Sequence, residues 1–251
     1  MILRSALLLL LAGLMAGCVS SGNVNPMRTE QGRSEARDAY IQLGIGYLQQ
    51  GETGRAKTPL RKALEIDSRS ADAHAALALV FQSEMENDLA DRHYRDALSS
   101  RNDARILNNY GSFLYEQKRY AEALERFTQA STDHLYPERS RVFQNMGMTA
   151  LQLGQKEQAE TYFTRALRLD SRQPLALLEL AMIAYEDKQY GPAKRDYDSF
   201  SQLSEQNARS LLLGIRLANI HQDRDTAASL ALQLKRLYPG TPEYRHFLSE
   251  Q

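Results

Sequence analysis

Residues 107–127 read LNNYGSFLYEQKRYAEALERF, and this stretch decides the fold. Small residues stand at Gly111 and Ala123, and the large Phe127 follows Ala123 by four positions. Small side chains are needed where two helix backbones approach closely, and large side chains fill the gaps on either side. The stretch therefore predicts two helices that cross within a hairpin.

The same pattern returns along the chain. Gly111 belongs to a series of small residues spaced by 34, 33, 36, 34 and 33 positions: Gly44, Ala78, Gly111, Gly147, Ala181 and Gly214. Ala123 belongs to a second series: Ala56, Ala90, Ala123, Ala159, Ala193 and Ala227. A period near 34 with these residue types resembles the tetratricopeptide repeat, a helix-turn-helix unit that stacks into a solenoid.

The sequence therefore predicts an all-α fold, a right-handed superhelix (α-solenoid) of six tetratricopeptide repeats over residues 35–251. Glycine and proline fall where this register places the turns: Gly51, Gly154, Pro137, Pro174 and Pro239. Terminal repeats need a cover for their outer apolar face. We expect the short segment Tyr244–Leu248 to cap the last repeat.

The N-terminus has the three-part layout of a secretory signal. Arg4 gives a basic start, residues 6–11 are apolar, and small residues precede Cys18. Only 13 residues separate Arg4 from Cys18, whereas a membrane-spanning helix needs about 20. We therefore predict that residues 1–17 are a lipoprotein signal peptide.

Cys18 is the only cysteine of the chain, and its place after Ala16 and Gly17 resembles the lipobox of bacterial lipoproteins. The resemblance implies that its thiol is acylated, although Met15 stands where the family favours leucine. The alternative is an ordinary signal peptide with an incidental free cysteine. Residues 18–34 have no sustained apolar period and are predicted to be the lipidated N-terminus and a flexible tether.

Composition and motifs argue against several functions. With 31 Lys+Arg and 31 Asp+Glu, the chain lacks the positive charge that phosphate-directed binding of nucleic acid requires. The sequence has no catalytic or phosphate-binding motif in a fitting context. We expect five scattered histidines to be packing or surface residues: His74, His93, His134, His221 and His246. No catalytic residue, metal, cofactor or small-molecule substrate is predicted.

Binding is instead predicted on the concave face, which the first helix of each repeat lines. The candidate groove residues are Ile41, Ile45, Leu48, Leu79, Asn108 and Tyr115. The three apolar residues of the first repeat are favoured, because exposed contiguous apolar surface marks interaction sites and only the tether precedes them. The Asn108 amide is a candidate either to clamp a peptide backbone or to order the turn between repeats. The apolar first helix of the fifth repeat either binds a partner or is covered by the C-terminal tail.

Three segments resemble a known family: LNNYG at 107–111, LLLGIR at 211–216 and YPGTPEYRHFL at 238–248. Together with the lipobox and six repeats, they resemble the type IV pilus biogenesis and stability lipoproteins, the PilF/PilW pilotins. The resemblance covers essentially the whole chain. Many members carry a cysteine pair in the first helices of the third and fourth repeats. Tyr115 and Thr149 stand there instead, so a disulfide does not carry over.

The resemblance implies an outer-membrane lipoprotein adaptor, with its repeats facing the periplasm and its acyl chains in the membrane. Such a pilotin binds secretin subunits of the type IV pilus system and promotes their localisation and multimerisation. Val19 after the cysteine, rather than aspartate, implies export to the outer membrane. Two alternatives stay open. One is a periplasmic scaffold for cell-wall or outer-membrane-protein assembly enzymes, and the other is binding of glycan or lipid in the groove, against which the low aromatic content speaks.

Overall fold

The computed structural model describes residues 26–250, which form thirteen α-helices after a short 3-10 turn at Pro26–Arg28. The helices are α1 (Glu30–Gln49), α2 (Thr53–Ile66), α3 (Ala71–Ser83), α4 (Asn87–Ser100), α5 (Ala104–Glu116), α6 (Tyr120–Ser131), α7 (Arg139–Gln152), α8 (Lys156–Leu169), α9 (Pro174–Glu186), α10 (Tyr190–Leu203), α11 (Ala208–Ile220), α12 (Arg224–Leu237) and α13 (Pro242–Ser249). Helices α1 to α12 pair into six consecutive hairpins. The predicted all-α solenoid of six tetratricopeptide repeats is confirmed.

In the hairpins, a large side chain of the second helix packs against a small residue of the first helix. A Cβ atom built on Gly111 of α5 would lie 2.6 Å from the Phe127 ring of α6, and one on Gly147 would lie 2.5 Å from Phe163. Glycine alone therefore permits this approach of the two helices. Ala123 has no exposed surface, which confirms the predicted register.

The turn inside every hairpin contains one residue with positive φ. These residues have φ between 59° and 76° and are Gly51, Met85, Lys118, Gly154, Lys188 and Gln222. After α5, for example, Lys118 N donates to Tyr115 O and Arg119 N donates to Leu114 O, each at 2.9 Å. This pair of bonds is a Schellman motif, which satisfies the last carbonyl groups of a helix. Sequence alone marked only the two glycines.

Side chains at the connections between repeats start the next helix. Ser70 Oγ accepts a hydrogen bond from Ala73 N ahead of α3, and Asp103 Oδ1 accepts one from Ile106 N ahead of α5. Pro174 is the first residue of α9, where its missing N–H is tolerated. The turns between repeats thus follow from cap residues as well as from proline.

Helix α1 begins earlier than the sequence predicted. It starts at Glu30, so the prediction that residues 18–34 are an unstructured tether is wrong for residues 30–34. The extra turns are held against the end of α2, because Arg33 Nη2 donates to Ile66 O at 3.1 Å and Arg37 Nη1 lies 3.2 Å from an Asp67 carboxylate oxygen. The signal peptide, Cys18 and tether residues 19–25 lie outside the described residues.

Helix α13 is the predicted C-terminal cap, and it runs slightly beyond both predicted ends. Tyr244 and Phe247 pack against a buried cluster that includes Leu211 of α11 and Leu234 of α12. An ion pair between Arg216 and Glu250 joins the far end of α13 to α11. The tail therefore covers the sixth repeat.

The buried apolar residues divide into clusters along the solenoid. The largest runs from Ala71 in α3 to Ile183 in α9, and smaller clusters lie at both ends. Within residues 26–250, no helix combines the length and the apolar character needed to cross a bilayer.

Candidate protein-binding groove

The first helices of successive repeats lie side by side and form one face of the solenoid, here called the first-helix face: α1, α3, α5, α7, α9 and α11. In the first repeat, Ile41 has only 4% of its surface exposed and belongs to a core cluster with Ala63 and Ala73. The prediction that Ile41 lines the groove is wrong, because α1 packs directly against both α2 and α3.

The other apolar candidates keep only part of their surface accessible. Ile45 and Leu48 of α1 are half-buried and pack against a core cluster that contains Leu77 and Val80. Leu79 of α3 is half-buried against the main core. Ile45 and Leu48 therefore help to hold the first two repeats together.

Asn108 is 5% exposed and bonds to the neighbouring repeat. Its Oδ1 accepts a hydrogen bond from Asn145 Nδ2 of α7 at 3.1 Å, and its backbone carbonyl accepts one from Ser112 Oγ at 3.0 Å. The amide is therefore not positioned to clamp a peptide. It joins α5 to α7, so its observed bond corresponds neither to a peptide clamp nor to ordering the turn between repeats.

A depression of about 300 Å³ lies next to this asparagine pair, between α5, α7 and α9. It is lined by Ser112, Tyr115, Glu116, Phe127, Asn145, Met148 and Leu175. The half-buried Tyr115 ring meets the Tyr120 ring edge-on, with 5.3 Å between centroids. Of the predicted groove residues, Tyr115 is the one that lines this depression.

A second depression, of about 240 Å³, lies between α9, α11 and α13. Its lining includes Met182 and Tyr185 from the fifth repeat and Glu243 from the cap. The apolar face of the fifth repeat is therefore bordered by the tail but not filled by it. The sequence could not show whether this face is covered, because that depends on where α13 packs.

An ion pair between a buried carboxylate and an exposed arginine lies at the second depression, which Arg209 helps to line. Glu179 of α9 is 2% exposed, and Arg209 of α11 holds its two carboxylate oxygens at 2.8 and 3.1 Å. The hydrogen bond to Glu179 raises the pKa of Arg209, although burial alone would lower it. A buried charge is tolerated when it is paired in this bidentate way.

Tyr115 is a neutral phenol at physiological pH. Burial raises its pKa, as do the nearby Tyr120 and Glu179.

The two depressions give the first-helix face an apolar lining with a few polar groups. Such a surface suits recognition of a protein segment.

Sequence reasoning missed Asn145 and Glu179. Both stand one place after the repeat position that Asn108 occupies in the third repeat, and the groove prediction included no residue at that place. Asn145 comes 37 residues after Asn108, and the two extra residues in the third repeat obscure that pairing. A polar residue on an otherwise apolar helix, such as Glu179 in LALLELAM, was the available signal.

Comparisons with known proteins agree with this architecture. A family model described as tetratricopeptide repeat matches residues 102–172. The type IV pilus assembly protein PilF of Pseudomonas aeruginosa is 61% identical over 252 residues, which is 100% of both chains.

Two solved structures are similar as well. One, of pilF from Pseudomonas aeruginosa, has a TM-score of 0.85 and 63% identity, and the match covers 88% of this chain and 100% of that one. The crystal structure of PilW, a widely conserved type IV pilus biogenesis factor, has a TM-score of 0.71 and 29% identity over 84% of this chain and 98% of that one. The protein therefore belongs to the PilF family of type IV pilus assembly proteins.

Proposed function

We propose that this protein is a pilotin, an outer-membrane lipoprotein adaptor without catalytic activity. In this proposal, its first-helix face binds secretin subunits, and its lipid directs them to the outer membrane, where they multimerise for pilus assembly. One observation carries the binding half of the proposal: the depression beside Tyr115 in a chain of the PilF family.

The central repeats fit a segment of a partner protein better than the first repeat does. Met148 and Leu175 give the depression apolar lining for partner side chains, and Ser112 and Tyr115 add hydroxyl groups to that lining. Buried apolar contact with a small number of oriented polar groups is the usual composition of an interface core. The binding site proposed here therefore lies on α5, α7 and α9 rather than on α1.

The lipid supplies the second half of the proposal. Acylation of Cys18 would transfer CH₂ groups into the bilayer at about 0.8 kcal/mol each, and stable anchoring needs more than one chain. Recognition and anchoring would then reside in separate parts of the molecule. Each part can be removed by substitution without touching the other.

Replacing Tyr115 with alanine tests the groove. We expect Tyr115→Ala to reduce recovery of secretin subunits with this protein from detergent-solubilised membranes, because the variant loses a large contact surface. Tyr120→Ala is the matched control, since it removes the same ring pair but lies outside the depression. Equal recovery with both variants would contradict a site at Tyr115. Recovery of cell-wall enzymes in place of a secretin would instead favour the scaffold alternative.

A further inference from the structure

The structure brings together three side chains that are scattered in the sequence. His74 lies on α3, and His93 and Asp96 lie three residues apart on α4, so they share one helix face. His74 Nδ1 is 2.9 Å from His93 Nδ1 and 3.9 Å from Asp96 Oδ2. One nitrogen or oxygen atom from each residue lies within 4.8 Å of the other two.

These distances are close to those of a metal site. A tetrahedral Zn²⁺ with bonds of about 2.0–2.1 Å separates its ligand atoms by about 3.3–3.4 Å. The observed distances of 2.9 and 3.9 Å fall on either side of that value. Small side-chain rotations would bring the three atoms onto one ion.

The hydrogen bonding of His74 leaves the required nitrogen available. Its Nε2 lies 3.1 Å from the Ser68 carbonyl oxygen. A carbonyl oxygen only accepts, so Nε2 carries the hydrogen and Nδ1 of the neutral ring carries a lone pair. Without an ion, this lone pair accepts the hydrogen of His93 Nδ1. Zinc binding would require His93 to shift that hydrogen to its Nε2, which frees its Nδ1 as a ligand. An outer N–H bond to a backbone carbonyl is the usual way in which proteins orient a metal-binding histidine.

The neighbours of the cluster fix one side and leave the other open. The Phe81 ring stacks on the His93 ring, with 5.3 Å between centroids and 12° between planes. The His74 side chain is 12% exposed, whereas the Asp96 side chain is 48% exposed. The carboxylate side therefore gives an ion a route from solvent.

We propose that His74, His93 and Asp96 bind one Zn²⁺ ion, with the fourth position open to water. Two imidazoles and a carboxylate are a donor set that Zn²⁺ accepts. The ion would link α3 to α4 and stiffen the second repeat. The competing explanation is a plain hydrogen bond between the two histidines.

Calorimetric titration of the full-length chain with ZnCl₂ distinguishes these explanations. The protein must be made without a histidine tag, because a tag would bind zinc itself. We expect one ion per chain, a raised Tm, and affinity at least about tenfold lower in His93→Gln and Asp96→Asn. His134→Gln is the control, since His134 is an exposed histidine outside the cluster.

One further measurement and the choice of variants keep the outcome clear. Visible absorption of bound Co²⁺ reports tetrahedral ligation and should be lost in His93→Gln. Asp96→Asn alters a half-exposed side chain, so it provides an answer even if His93→Gln fails to fold. Absence of binding, or unchanged affinity in a folded Asp96→Asn variant, would overturn the proposal and leave the histidine hydrogen bond as the explanation.

Discussion

At Gly111, the absence of one methyl group sets how closely α5 and α6 approach. A Cβ atom there would overlap the Phe127 ring, whereas Gly46 of α1 has no atom within 4 Å of such a Cβ. Both glycines are inside helices, where glycine is less favourable than alanine by about 1 kcal/mol. Alanine at Gly46 therefore changes helix propensity alone, whereas alanine at Gly111 also changes packing.

We expect opposite signs from alanine at these positions. Gly111→Ala should lower the free energy of unfolding by about 1–3 kcal/mol because it overpacks the hairpin. Gly46→Ala should raise it by up to about 1 kcal/mol. Denaturant melts of the two variants and the parent measure both values, and equal stabilities for the two variants would refute the register.

Single residues also show which features of the fold the sequence predicts and which it does not. The repeat pattern correctly predicted Ala123 and Phe127 as core, because their types are set by helix approach. It could not predict that Ile41 is buried or that Asn108 bonds to Asn145, since both depend on how one repeat stacks on the next. Burial between repeats is a tertiary effect that a single repeat's pattern does not contain.

At the scale of elements, the six hairpin turns share one backbone geometry but not one residue type. Met85 has φ of 60° and 83% of its surface exposed. A residue other than glycine in this left-handed conformation costs about 1 kcal/mol or more. The Schellman bonds at the ends of the first helices hold it there.

Glycine at this turn should stabilise the protein. We expect Met85→Gly to raise the free energy of unfolding by about 0.5–1 kcal/mol, with part of the gain offset by glycine entropy in the unfolded chain. Met85→Ala removes the same side chain without relieving φ and should leave stability nearly unchanged. Thermal melts compare the variants, and a Met85→Ala gain as large as that of Met85→Gly would contradict the explanation.

A charged contact joins the second and third repeats. Asp91 of α4 accepts hydrogen bonds from Tyr110 Oη at 2.7 Å and from Arg119 Nη1 at 2.9 Å. Burial alone would raise the pKa of Asp91, but these two bonds and the charge of Arg119 outweigh it and lower that pKa. Burial and the bond to Asp91 raise the pKa of Tyr110 to about 12. The ionised carboxylate is therefore the form that stabilises the fold.

Because folding lowers the pKa of Asp91, its contribution to stability depends on pH. A carboxylate whose pKa falls on folding stabilises the native state above its unfolded pKa, about 3.9, and loses this effect as pH falls through the lower folded pKa. Asp91→Asn should therefore cost about 1–3 kcal/mol at pH 7 and progressively less below about pH 4. Asp88→Asn, an exposed carboxylate on the same helix, is the control. A cost that does not change with pH would rule out the ionic contact.

At the scale of the whole molecule, the proposed function depends on two separate regions. The repeats form one continuous stack in residues 30–249, and the predicted lipid site is at Cys18. The repeat number and order could be predicted from small residues at a constant period. The position of the groove could not, because it depends on how neighbouring repeats stack and which helix faces remain open.

Removing the acyl site should separate anchoring from recognition. We expect Cys18→Ala to give a folded protein that is found outside the membrane fraction and still binds secretin subunits but fails to place them. Membrane fractionation and the yield of heat-resistant secretin multimers in the outer membrane measure this. Normal outer-membrane rings in cells that carry only Cys18→Ala would contradict the role of the lipid.

The division of the core into clusters determines which parts of the protein open first. All substantial contacts between helices join elements of the same or adjacent repeats, and the largest cluster lies in the middle. Stability in such a stack is a sum of local and nearest-neighbour contributions. Amide hydrogens of α1 and α13 should therefore exchange with solvent through openings that leave α5 to α8 protected, so the chain unravels from its two ends toward the centre.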